Sequence, residues 1–232
     1  MKYIALSIIT LIVLHSSCSN RQVNKNNSDI KTPAEQHDRK KPQSPPIVTL
    51  SQKDNISLDD DSVKTVLFRQ GRTIASRMQR ALQKELQQAI KNGGAEQAIS
   101  YCNSRAMPLT DSMSAEYDVE IRRLAKKYRN PENETDKAES EIYKAYIMDW
   151  IEKRPLYESV YPDEDGHPVY YRPIKVGKLC LNCHGKPGEH IPDKLYGKIK
   201  SLYPDDKAVN FTEGQLRGMW AITFKEYTVK QD

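Results

Sequence analysis

Long apolar runs are scarce in this 232-residue chain, and so are large aromatics other than tyrosine. It holds 3 Phe and 2 Trp against 13 Tyr, and its mean hydropathy is −0.75. The one apolar run, residues 3–14, falls short of the roughly 20 residues a membrane-spanning helix needs. Basic clusters are equally scarce. Lys and Arg total 36 against 31 Asp and Glu, for a net charge of +5, and they are spread along the chain. Arg39-Lys40-Lys41 is the one cluster of note. Such dispersion excludes a nucleic-acid module and leaves a solvated surface. Cysteine occurs 4 times, at Cys18, Cys102, Cys180 and Cys183.

The apolar run follows Lys2 and leads into Ser16-Ser17-Cys18. A short h-region behind a basic residue is a secretory leader, and small residues before a cysteine resemble a lipoprotein signal. Residues 1–17 are therefore expected to be a signal peptide and Cys18 the lipidated residue. Ser19 leans towards the outer membrane. Residues 18–60 are rich in Asn, Lys, Gln, Ser, Asp and Pro. They bury too little surface to offset chain entropy, so they read as a flexible tether. Residues 61–232 are enough for one domain with one core.

Within that domain the pattern turns helical at Asp61. Val63, Leu67, Ile74, Met78, Ala81, Leu82, Leu86, Ala89 and Ile90 recur at helical spacing, and Asn92-Gly93-Gly94 ends the run. A second helix is expected over residues 95–117, with Ala95, Ala98, Ile99, Cys102 and Ala106 on its apolar face and Pro108 kinking or dividing it. Val119, Ile121 and Arg123 share a strand face, and residues 129–133 make a turn. Residues 142–151 read as a short helix with Tyr146, Ile147, Trp150 and Ile151 inward. Two β-like segments flank a turn at 162–166, and residues 219–224 form a closing strand. Helices first and strands later predict an α+β fold.

Cys180-Leu181-Asn182-Cys183-His184 is a C-x-x-C-H motif, the attachment signature of c-type haem. Two thiols at this spacing can each form a thioether with one vinyl group of a single porphyrin. The following histidine is then held where its imidazole can be the proximal ligand. In bacteria this attachment takes place after export, so leader and motif support each other. Three rival readings exist. A thioredoxin-like pair opens a helix in a βαβ unit, whereas Gly185-Lys186-Pro187-Gly188 follows here. A structural zinc site in an interaction domain would use Cys102, Cys180, Cys183 and a His, without a second close-spaced pair. Cys180 and Cys183 could also form a disulfide.

For a second axial ligand the chain offers His190, His167, Met107, Met113, Met219 and Cys102. On spacing alone Cys102 reads as a small apolar residue of a helix's buried face.

Several blocks together resemble a bacterial family of PAS-like single-haem c-type domains, found alone and as the sensing part of receptors. They are Ala98 to Asn103, Arg123 followed by Arg129-Asn130-Pro131 and Asn133, Tyr171-Arg172-Pro173-Ile174, the haem box, and Gly214 with Arg217 and Gly218. The chain departs from the pattern at Leu124-Ala125, Gln215 and Val209-Asn210-Phe211. The resemblance implies a PAS-like antiparallel sheet with N-terminal helices packed against it and one covalent haem c. It also implies that Cys102 is the distal ligand, which makes a His184/Cys102 pair.

An anionic thiolate favours ferric iron, so the expected potential is low compared with His/Met ligation. The expected roles are redox or small-ligand sensing, or electron transfer, through an unknown redox or signalling partner protein. No enzymatic activity is expected. Arg123, Arg129 and Arg217 are candidate contacts for the haem propionates.

Overall fold

The structure is a computed structural model that describes residues 56–229. The expected signal peptide, Cys18 and most of the tether lie outside the described residues.

Helix α1 (Asp61–Tyr117) starts where the Asp60 carboxylate accepts from the Ser62 N–H, the usual N-cap bond. Leu67, Ile74, Ala75 and Met78 form its buried stripe. Gly93 and Gly94 hold the only non-helical dihedrals inside α1, and Gly94 has φ +69°, a left-handed value that glycine adopts without a Cβ clash. They split α1 into two arms. Pro108 lies within the second arm without dividing it.

Strands β1 (Glu120–Leu124), β2 (Ser159–Pro162), β3 (Pro168–Lys175) and β4 (Leu216–Thr223) form one antiparallel sheet in the order β1-β4-β3-β2. The register pairs Ile121 with Ile222 and Tyr170 with Ile222. Because side chains alternate across a strand, the sheet has two distinct faces. Ile121, Tyr170, Trp220 and Ile222 pack with Leu67, Ile74 and Met78 of α1. Leu124, Val169, Tyr171, Met219 and Ala221 pack with Tyr143 and Tyr146 of α2 (Lys137–Ile151). Each fully buried large apolar side chain contributes about 1.5–3 kcal/mol, and these two faces supply most of the core.

Two expectations need revision, and one helix went unpredicted. The tether does not run to residue 60: Ile56 is buried in the α1 core, and its N–H donates to the Thr228 carbonyl at 2.8 Å. Helix α2 begins at Lys137 because Asp136 and Glu139 form a capping box. Its buried stripe is Glu139, Ser140, Tyr143 and Tyr146, while Ile151 is 57% exposed. The segment after the C-x-x-C-H motif holds a further helix, α4 (Asp193–Leu202). Leu195 and Ile199 bury its apolar side against Ile99 and Ile191.

Candidate functional site

The C-x-x-C-H residues form the short helix α3 (Lys178–His184). Positions i and i+3 share a helix face, so Cys180 and Cys183 lie one turn apart on one side. Each is half-buried and has its own support. Cys180 packs with Val176, Ala208 and Phe211, and Cys183 with Ile99, Ile191, Leu195 and Ile199. The thiols of Cys102, Cys180 and Cys183 are all free.

Gly185 closes α3. A Cβ there would lie 2.6 Å from the His190 Cβ and 2.7 Å from the Leu181 carbonyl oxygen. The missing side chain lets the His190 loop close against the helix end, and the separate loop between α4 and β4 returns to it, where the Asn210 and Phe211 N–H groups donate to the carbonyls of Gly185 and His184.

This returning loop orients His184. Its Nδ1 lies 2.8 Å from the Ala208 carbonyl. A carbonyl only accepts, so Nδ1 carries the proton and Nε2 keeps its lone pair. Burial, with Arg217 and Arg129 nearby, holds the imidazolium far below its ordinary range and keeps the ring neutral.

Arg129 ties the same pieces together. Its Nε donates to Asp206 Oδ1 at 3.2 Å; its Nη2 donates to the Cys183 carbonyl at 2.6 Å and the Ala208 carbonyl at 3.3 Å. Asp206 Oδ1 also accepts from the Ala208 N–H at 2.8 Å. The pair is buried, with side chains 9% and 0% exposed. One guanidinium thus connects the end of α3 to the loop that receives the His184 proton.

Cys102 reaches this region from the second arm of α1, one turn beyond Ile99. It lies close enough to Cys183, Arg123 and Arg129 for mutual electrostatic effects. Burial pushes its thiol up, against the pull of the two arginines.

The remaining ligand candidates separate by position. His167 donates its Nδ1–H to the Tyr227 carbonyl, beside the β2–β3 turn. Met113 and Met219 are core side chains on opposite faces of the sheet. Met107 lines a cleft of about 710 Å³ beside β1, which Arg123 also lines and no α3 residue does. His190 is exposed, with Nδ1 accepting from the Lys186 N–H. Among the described residues no group of three or more His, Cys, Asp or Glu side chains is placed to hold a metal ion. The zinc reading thus has no assembled ligand set there.

Four cations surround the site. Arg123 comes from β1, Lys127 and Arg129 from the segment after it, and Arg217 from β4. Lys127 Nζ lies 4.3 Å and the Arg217 guanidinium carbon 5.4 Å from the Phe211 ring centroid. Phe211 in turn meets His184 edge-on, with centroids 6.3 Å apart. Burial and the neighbouring Arg123 and Arg129 push Arg217 down to about 9. Sequence reasoning missed Asp206, the Ala208 carbonyl, Phe211 and Lys127. A backbone acceptor leaves no mark in side-chain pattern, and Asp206 is one acid among several in its loop.

The fold and site define a small α+β domain that presents two thiols and an oriented imidazole on one helical turn, with a third thiol nearby. The chain belongs to the Tll0287-like family, whose model matches residues 58–225. Among solved structures it is similar to the crystal structure of the cyanobacterial heme-protein Tll0287. Identity is 28%, over 53% of this chain and 70% of that one, with a TM-score of 0.44. No curated protein matches it.

Proposed function

We propose that this chain is an exported c-type haem protein that carries one haem c on Cys180 and Cys183, with His184 as proximal and Cys102 as distal ligand. The observation that carries this reading is the His184 Nδ1 bond to the Ala208 carbonyl. It commits one ring nitrogen to the protein and leaves the other as a metal donor, which is how ligating histidines are usually held. The thiols one turn away sit at the attachment spacing. A buried Arg217 Nε without a hydrogen-bond partner fits a ligand that brings an acceptor.

Bound haem supplies one-electron redox chemistry and, where an axial donor leaves, a position for a small ligand. The chain's own residues do the rest. Ala208 and the Arg129–Asp206 pair fix the imidazole. Ile99 and the α4 residues hold the arm that bears Cys102 against α3. A thiolate on the distal side favours the ferric state, so the potential is low. The sheet with its N-terminal helices is read as PAS-like.

The domain works as an electron-transfer or redox-sensing module rather than an enzyme, and passes its output to a redox or signalling partner protein. It is held on the periplasmic side of a bacterial membrane, the outer one favoured, through a lipid on Cys18. Family membership and the C-x-x-C-H motif support this reading.

The test is export from a host competent in cytochrome maturation. The purified protein is expected to be coloured, to keep its pigment through acid-acetone extraction, and to give the pyridine spectrum of thioether-linked haem. A colourless product, or extractable pigment, overturns the reading.

A further inference from the structure

From Gly166 to Gly188 the chain carries no Asp or Glu, but it carries Arg172, Lys175, Lys178 and Lys186. This stretch is β3 and the C-x-x-C-H helix α3. Acids gather elsewhere. Glu132, Glu134, Asp136 and Glu141 lie before and at the start of α2, and Asp163, Glu164 and Asp165 form the β2–β3 turn. That turn and α3 sit at opposite ends of β3, whose 8 residues span about 24 Å at the rise of a strand. The domain is therefore polarised along its sheet, and the positive end is the one that bears Cys180, Cys183 and His184.

The outer face of α3 presents that charge to solvent. Helix positions i and i+4 share a face. Lys178 and Asn182 are exposed, and exposed Lys186 continues their line past the helix end. Lys175, at the end of β3, is exposed beside them. Lys186 pairs with Glu189 at 3.1 Å, while Lys175 and Lys178 form no ion pair with any described residue, so their charge is not neutralised locally. Leu179, between Lys178 and Cys180, is 44% exposed. Cys180, Cys183 and His184 face inward, against Phe211, Ile99 and the Ala208 carbonyl.

We propose that the outer face of α3, made of Lys175, Lys178, Leu179, Asn182 and Lys186, is the docking surface for an acidic one-electron redox protein. This rests on the haem reading above. A basic rim steers a carboxylate-bearing face into place, and Leu179 supplies an apolar centre within it. Helix α3 is about 10 Å thick, so a partner on its outer face comes within that reach of a group carried by Cys180 and Cys183. One electron passes between the partner's redox centre and that group, with no proton or bond exchanged. A lipid surface is also anionic, but the exposed tyrosines suited to an interfacial layer, Tyr157 and Tyr161, lie at β2 rather than beside α3.

The experiment uses the exported ferric holoprotein and a reduced plant-type ferredoxin, an acidic one-electron iron–sulfur protein of low potential. The bimolecular rate is followed by stopped flow in the Soret region. The wild-type rate is expected to fall steeply as salt is added. K175E/K178E is expected to lower the low-salt rate by about tenfold and to flatten its salt dependence. L179S is expected to lower the rate at every salt concentration and leave the slope unchanged. R69E/K84E makes the same change in net charge on exposed cations of the first arm of α1, and both rate and slope are expected to stay near wild type. If K175E/K178E fails to accumulate, K175Q/K178Q removes the charges without adding acids, and a smaller change in the same direction is expected.

Equal slopes for the α3 and α1 variants, in protein whose pyridine spectrum shows attached haem, overturn the proposal and leave the haem reading standing. A wild-type rate indifferent to salt does the same. A second arm sediments the holoprotein with phosphatidylglycerol vesicles. Binding that is lost in K175E/K178E, with ferredoxin rates equal to wild type, assigns the face to a lipid surface and overturns the proposal. No attached haem in the wild type overturns both readings.

Discussion

Arg129 and Asp206, 77 positions apart, form a buried ion pair that shares the Ala208 carbonyl with His184. The pair lies between the sheet, α3 and the loop before β4. It sets where the imidazole points without touching the ring.

Asp206→Asn leaves Arg129 buried without its counter-charge. Breaking a buried pair from one side costs about 3–5 kcal/mol. The expected result is a lower urea midpoint together with a changed His184 environment in the Soret region. A midpoint within error of wild type would show that the pair bears no weight in the fold.

Gly185 and Gly197 make a matched pair of tests. Gly185→Ala forces a Cβ to 2.6 Å from His190 and 2.7 Å from a carbonyl. Overpacking of this kind costs about 1–3 kcal/mol. Gly197, within α4, has nothing within 4 Å of an added Cβ. Gly197→Ala should stabilise by roughly 0.5–1 kcal/mol, because glycine is a poor helix former. Denaturation midpoints moving in the same direction for both variants contradict this account.

Cys102→Ala separates ligand from core filler. With Cys102 as the distal donor, the ferric absorption spectrum changes and the midpoint potential rises, because an anionic ligand that favours ferric iron is gone. An unaltered spectrum assigns Cys102 to filler on the second arm of α1. Carbon monoxide then distinguishes the two modes of action in the wild type. The thiolate weakens on reduction, so the reduced form is expected to bind the gas rapidly. Absence of binding assigns the chain to simple electron transfer.

Alkaline stability follows from Tyr146. Burial pushes its phenol up to about 12, with its hydroxyl at Ser159 Oγ. Unfolded chains ionise tyrosine near 10. Below that pH both states hold the proton and the residue adds no pH dependence. Above it the unfolded state loses protons first, so stability falls as pH rises between about 10 and 12. A two-unit gap corresponds to roughly 2–3 kcal/mol at the upper limit. Tyr146→Phe should remove that part of the loss in urea titrations at pH 9 and 11.5.

Sequence by itself determined the chemistry-bearing turn. Cys180, Cys183 and His184 are neighbours along the chain, and local helical geometry places two thiols and an imidazole together whatever the rest does. The Gly93-Gly94 break and the strand character of residues 169–174 and 219–224 were legible for the same reason, since glycine dihedrals and β-branched or aromatic runs act locally. The tertiary structure decided everything that needed distant partners. It brought Ile99, one turn before Cys102, against Cys183, Leu195 and Ile199, and it sent Met113 and Met219 into the core. It separated Arg129, which found Asp206, from Arg123 and Arg217, which did not. The physical reason is that a guanidinium's role depends on which acceptors folding leaves within about 3 Å of it, and sequence spacing carries no record of that distance.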